Sequence, residues 1–175
     1  MKKICFLLLS AFYSMMVFSQ TDSLQPASRI NSPSVPEFVN QPFYLDKIYG
    51  RLVKLERPRV HTGINFKGQF VEVDSSKSFV RVGKADTTRF IVRVSAGTDP
   101  RDLFELIAFT IKNGKRRCQV TGTKGLALQD KYVYKKIDYE LRKAGEGVYI
   151  LLVNSLPPGE YYFASHDGAF AFGID

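Results

Sequence analysis

Val148-Tyr149-Ile150-Leu151-Leu152-Val153, then Gly159-Glu160-Tyr161-Tyr162-Phe163-Ala164 and Ala169-Phe170-Ala171-Phe172-Gly173-Ile174, decide the fold class of this chain. The first run is apolar throughout and too short for a stable helix of its own, so it reads as a central strand. The other two flank Ser165-His166-Asp167-Gly168. An Asp-Gly pair supplies the backbone freedom of a tight turn, so these runs read as a closing hairpin.

The same grammar extends upstream. Phe90, Val92 and Val94 share one face of a strand while Ile91 and Arg93 take the other. Phe43-Tyr44-Leu45, Arg51–Glu56 and Phe79–Val82 are further short segments, with Lys47-Ile48-Tyr49-Gly50 as a turn. Ile64–Asp74 alternates weakly and is expected to bend near Gly68. Tyr132–Leu141 alternates with a slip of phase at Lys135-Lys136, expected as a bulge or edge. Gly122-Thr123-Lys124-Gly125 lacks the pattern of a phosphate-binding loop and is expected as an ordinary loop.

Asp99–Val120 supports two readings. Asp99 as N-cap, Pro100 at the first helical position and Asn113-Gly114 at the end would bracket a helix. Against this, Phe104, Ile107, Phe109, Thr110 and Ile111 favour strands, and Asn-Gly between two such runs is a strong hairpin signal. The hairpin is the expectation, with Asp99–Asp102 as a turn before it. The whole pattern predicts an all-β antiparallel sandwich or a closed barrel over 43–175.

Leu156-Pro157-Pro158-Gly159-Glu160-Tyr161 resembles the L-x-P-G-x-Y stretch of transthyretin-like and other Ig-like sandwich domains. That resemblance implies a sandwich in which Tyr161 is a structural corner, its ring in the core and its hydroxyl bonded to backbone upstream. The tail through Phe172-Gly173-Ile174-Asp175 is also similar to a set of small exported bacterial proteins of uncharacterised function. They share an early strand like Leu52–Glu56, an Asp-Pro turn and an Arg-Arg pair. This second likeness implies no activity.

The start of the chain concerns address. Met1-Lys2-Lys3 is basic, Ile4–Phe18 is apolar but for Ser10 and Ser14, and Ser19 precedes Gln20. This is the layout of a secretory signal peptide over 1–19, and the run is too short to span a bilayer as a mature helix. Cys5 sits too early to be a lipoprotein cleavage site, so a periplasmic or extracellular protein without a lipid anchor is expected. Residues 20–42, with Pro26, Pro33, Pro36 and Pro42 among polar residues, read as a flexible leader.

Composition excludes more than it assigns. The full chain carries a formal net charge of +8, and removal of Lys2 and Lys3 leaves 23 basic against 17 acidic residues. Cys118 is the one cysteine remaining after Cys5 is cut away, so no internal disulfide is expected, and it reads as a small buried hydrophobe. His61 and His166 stand far apart without metal-ligand spacing. Asp99 and Asp102 are the nearest carboxylate pair, explained by turn chemistry. No catalytic residue, cofactor or metal ligand is assigned.

The basic clusters alone suggest recognition. Arg116 and Arg117, beside Lys112 and Lys115, and Lys135 and Lys136, beside Tyr132 and Tyr134, are candidates for contact with an anion or partner. Adjacent strand residues point to opposite faces, so one arginine of the pair should share a face with Lys115 and Gln119. Lysines that guard strand edges are the plainer explanation of these clusters. Export argues against nucleic acid and leaves an envelope protein or an anionic glycan or lipid. The expected function is a non-catalytic binding or assembly module, with a hydrolase or lyase on a β scaffold as the alternative.

Overall fold

The computed structural model describes residues 35–124 and 127–175. The signal peptide expected over 1–19 and the leader up to residue 34 lie outside the described residues. β1 (Gln41–Leu45) and β2 (Leu52–Lys54) form a hairpin, as do β3 (Val60–Asn65) and β4 (Gly68–Val73). The two-residue β5 (Arg81–Val82) precedes β6 (Thr87–Arg93). A single helical turn, α1 (Pro100–Leu103), leads into β7 (Glu105–Ala108), β8 (Thr110–Lys112) and β9 (Lys115–Gln119). β10 (Thr121–Lys124), β11 (Ala127–Tyr132), β12 (Lys136–Ile137) and β13 (Glu140–Gly145) follow. β14 (Val148–Asn154), β15 (Gly159–Ser165) and β16 (Gly168–Ile174) close the chain.

These strands make three main sheets and a β10–β11 ribbon. Sheet I runs β13-β14-β6-β1-β2, sheet II β12-β7-β15-β16-β5, and sheet III β3-β4-β9-β8. Pairing is antiparallel except where β5 joins β16. Sheets I and II face each other across an aromatic core: the Phe90 ring of β6 lies 5.0 Å from Phe163 and 4.8 Å from Phe172. Phe90, Phe163, Phe172 and Leu151 are enclosed, each worth roughly 1.5–3 kcal/mol of burial. The protein is an all-β sandwich.

Sheet III adds a layer on the other side of sheet II. β15 sends Tyr161 and Phe163 toward sheet I, and Tyr162 toward Val73 and Cys118 of sheet III. β16 sorts its residues by size: Phe170, Phe172 and Ile174 face sheet I, while Ala169 and Ala171 face sheet III. Small side chains on that second face leave room for Tyr162, which stacks on Phe109 at 4.2 Å. β6 divides as the sequence predicts, with Phe90 and Val92 in the sandwich core and Ile91 on the outer face beside Phe43 and Val148.

The Asn113-Gly114 hairpin forms as expected, but only between β8 and β9; the strand expected before the turn is split at Phe109, with β7 in sheet II and β8 in sheet III. Ile111 pairs with Arg116 and Lys112 with Lys115 across Asn113-Gly114. The helix signals produce one turn only, in which Asp99 Oδ1 accepts the Arg101 N–H at 2.8 Å. Phe104 then returns to extended backbone, because Leu106 must reach the sandwich core while Ile107 reaches sheet III. A helix cannot present successive residues to opposite layers.

Four expectations need correction. Ile64–Asp74 is not one bent strand: the chain reverses at Phe66-Lys67, where Asn65 Oδ1 accepts the Lys67 N–H at 2.8 Å. Tyr132–Leu141 is not one strand with a bulge; β11, β12 and β13 belong to the ribbon, sheet II and sheet I respectively, so the phase slip marks a chain changing layers. Gly122-Thr123-Lys124 is not a loop but part of β10. Gln41 and Pro42, expected as the end of the leader, are the first residues of β1. Pro42 is tolerated because β2 pairs only from Phe43 onward, so no neighbour there demands its missing N–H.

Candidate functional site

The two arginines expected to contact an anion stand on opposite faces of β9. Arg116 pairs in register with Val73, whose side chain is buried against sheet II, so its own side chain turns inward. It is fully enclosed. Its guanidinium forks onto Glu56, with Nη1 to Oε2 at 2.8 Å and Nη2 to Oε1 at 2.6 Å. Nε donates to the Ser75 carbonyl at 3.3 Å, and Glu160 Oε2 lies 3.9 Å from Nη1. A fork so occupied has nothing to offer an external anion, which removes Arg116 from the candidate contact residues.

This ion pair belongs to a longer chain of charges. Glu160 Oε2 accepts the Ser78 N–H at 2.8 Å, and its Oε1 accepts from Arg81, which also holds Asp175. Burial alone would raise the Glu56 carboxyl, but the hydrogen bonds of Arg116 and Ser78 outweigh it and hold the group below its ordinary value. The Glu56 backbone meanwhile exchanges hydrogen bonds with Ala171 of β16 at 3.0 and 2.7 Å. Arg116 of sheet III therefore ties down both a segment bridged to sheet II and Glu160 of sheet II itself.

Arg117 faces outward with Lys115 and Gln119. Gly63 of β3 begins the arrangement: a Cβ there would fall 2.5 Å from Phe70 Cζ, so only glycine lets the Phe70 ring lie across the strand. Arg117 lies over that ring at 4.0 Å and hydrogen-bonds Glu72 through Nε and Nη2. Lys115 reaches the same Glu72 at 2.9 Å and Asp74 at 3.0 Å. Hydrogen bonds from Arg117 and then Lys115 hold Glu72 below the usual carboxylate range. His61 Nε2 stands 3.3 Å from Asp74.

The lysine pair lies elsewhere. Lys136 of β12 pairs with Glu105 of β7, which also accepts the Tyr134 hydroxyl at 2.6 Å. Lys135 is exposed. Arg117 and Lys136 thus sit in different sheets, each against a carboxylate. Tyr161 lies with its ring stacked on Phe172 at 5.6 Å and its hydroxyl donating to the Pro157 carbonyl at 2.8 Å. Cys118 is enclosed between sheets II and III, and burial pushes its thiol pKa up.

Beside the Phe70 stack, the far end of sheet III opens into a cleft of about 630 Å³. It is lined by Thr62, Gly63, Ile64, Gln69, Phe70, Val71 and Val120. Ile64 is 67 % exposed there, and Phe66 at the adjoining turn is 83 % exposed. Neither this end nor Glu56, Glu72, Arg81 and Glu160 stands out as a site in the sequence. A single charged residue inside an apolar strand, as Glu160 is in β15, was the available signal of a buried pair; which partner it meets depends on the layering. Among the described residues, no group of His, Cys, Asp and Glu is placed to hold a metal ion. No helix among them is long and apolar enough to cross a membrane. Comparison with protein-family models and with curated proteins found no match.

Proposed function

We propose that this chain is a non-catalytic binding or assembly module of the cell envelope or secreted space. The observation that carries the reading is the open end of sheet III, where Ile64 and Phe66 stand exposed beside the cleft. Large apolar side chains held out on a strand and a tight turn, with polar residues around them, suit contact with a protein. The export part of the reading rests on the three-part pattern of residues 1–19.

The charged groups support the same reading by their commitments. Arg116, Glu56, Glu160 and Arg81 are engaged with one another, and Arg117 spends its fork on Glu72. A protein partner is therefore favoured over an anionic glycan or lipid; Lys112 and Lys135 are exposed, but Lys112 stands with Lys115 at the opposite end of sheet III from Phe66. The test is capture from envelope and secreted fractions on the tethered protein and on its Phe66→Ser variant, run in parallel. A partner retained by the parent and lost by the variant is expected. Equal recovery on both, or turnover of an envelope glycan or peptide by the purified protein, would overturn the reading.

A further inference from the structure

β3 is an unguarded sheet edge. Among the described residues it pairs with β4 alone, and no residue of Val60-His61-Thr62-Gly63-Ile64-Asn65 is a lysine, arginine, carboxylate or proline. The other long edge, β13, carries Glu140, Arg142 and Lys143, the usual protection against pairing with another chain. The remaining edge strands of the three main sheets, β2, β5, β8 and β12, are two or three residues long.

The ladder shows which β3 groups face outward. The Gln69 N–H donates to Thr121 Oγ1 at 3.1 Å, and the Gln69 carbonyl accepts the Val120 N–H at 2.8 Å. Gln69 therefore turns its backbone groups away from β3. Direction alternates along an antiparallel strand, so Val71 and Val73 do the same, while Phe70 and Glu72 bond to β3. The residues opposite Gln69, Val71 and Val73 are Ile64, Thr62 and Val60. These three direct their N–H and C=O groups out from the sheet edge.

We infer that β3 pairs with β3 of a second copy, antiparallel about a two-fold axis at Thr62. This rests on the binding-or-assembly reading and names the partner. In this register Thr62 meets Thr62, and Val60 meets Ile64 on either side of the axis. Every outward N–H and C=O of the three residues then finds a partner, and any shift along the strand leaves some unpaired. The same register lays Val60 of one copy beside the exposed Ile64 of the other and places His61 opposite Gly63, across which the Phe70 ring of that copy lies. No like charges are opposed across the paired window, and the contact is isologous and closes on itself. The strand is its own complement, which favours a second copy over an unrelated extended peptide.

Sedimentation of the protein as the cell produces it, over a range of concentrations, tests the pairing. A dimer is expected, weakened about tenfold or more by Thr62→Pro and by Ile64→Lys. The proline removes an outward N–H without touching the β4 ladder, and the lysine guards an exposed position, so both variants should keep the parent's circular dichroism. Register is read by cysteine pairing: Thr62→Cys should form an intermolecular disulfide, whereas His61→Cys should not, and the enclosed Cys118 adds no background. A monomer at every concentration, a dimer indifferent to both edge variants, or a dimer cross-linked through residue 61 instead of 62 would overturn the pairing. Loss of the dimer with Phe66-dependent capture intact would remove this inference alone. A dimer with no captured partner would leave assembly standing and remove the heterologous partner.

Discussion

Tyr161 joins two jobs in one side chain. Its ring fills the core against Phe172, and its hydroxyl bonds the Pro157 carbonyl, fixing the turn into β15. Tyr161→Phe should cost about 1–2 kcal/mol, the worth of one hydrogen bond and an acceptor left underused. Tyr161→Ala should cost roughly 3–5 kcal/mol, because the ring leaves a cavity. Urea melts of the three proteins check both. Neighbouring arginines should behave unequally by the same measurement. Arg116→Met strands Glu56 in a closed site and should cost about 3–5 kcal/mol, whereas Arg117→Met removes a partly exposed pair and should cost under about 1 kcal/mol. The Glu56 pair also sets a pH dependence. Its folded carboxyl lies below the ordinary value of 4.5, so the ionised form stabilises the fold above that value, and the contribution is lost as pH falls through the folded pKa. Glu56→Gln should therefore be less stable than the parent near neutrality and show a shallower loss on acidification.

At the scale of the element, β16 shows what alternation encodes. Its sequence swaps large for small rather than apolar for polar, since both faces are buried and the second lies against Tyr162 and the ion pairs. Gly173 is the extreme case: a Cβ there would fall 1.7 Å from Arg81 Nη1 and 2.7 Å from Glu160 Oε1. Gly173→Ala should cost about 1–3 kcal/mol by overpacking, and most of that should disappear when Arg81→Ala is combined with it. A double-mutant cycle in urea measures the coupling; additive costs would show that the crowding is relieved elsewhere. The β15–β16 hairpin, the Asn113-Gly114 turn and the two faces of β6 were legible in the sequence because turn chemistry and period-two patterning are local. The β3–β4 reversal was missed because Phe66 at the turn continues the apolar run. The strands between Tyr132 and Leu141 were run together because moving from one sheet to another looks, in a single sequence, like a slip of phase. For the candidate site, opposite faces for Arg116 and Arg117 followed from β9 being a strand, but which face was closed depended on a third layer that no local pattern announced.

Across the whole molecule, the question is whether sheet III melts with the sandwich or separately. Its buried contacts with sheet II include the packing of Cys118 and Val73 against Tyr162 and Ala171, beside the stack of Tyr162 on Phe109, the residue that links β7 to β8. Arg116 crosses from sheet III to Glu56, whose backbone is bonded to β16, and approaches Glu160 of β15. Peeling sheet III away would expose this guanidinium's partners together with the apolar face of sheet II, so the layers should open as one cooperative unit. Cys118 reports on that event, because a thiol must reach solvent and ionise before it reacts, and burial opposes both. In the native protein, labelling by a thiol-specific reagent should be slow. As urea rises, the reactive fraction should follow the same transition as the far-ultraviolet circular dichroism. In Arg116→Met the pin is gone, and labelling should run ahead of the loss of strand signal. Labelling that already precedes unfolding in the parent would show sheet III to be a separately opening layer, with the ion pair too weak to bind it to the sandwich.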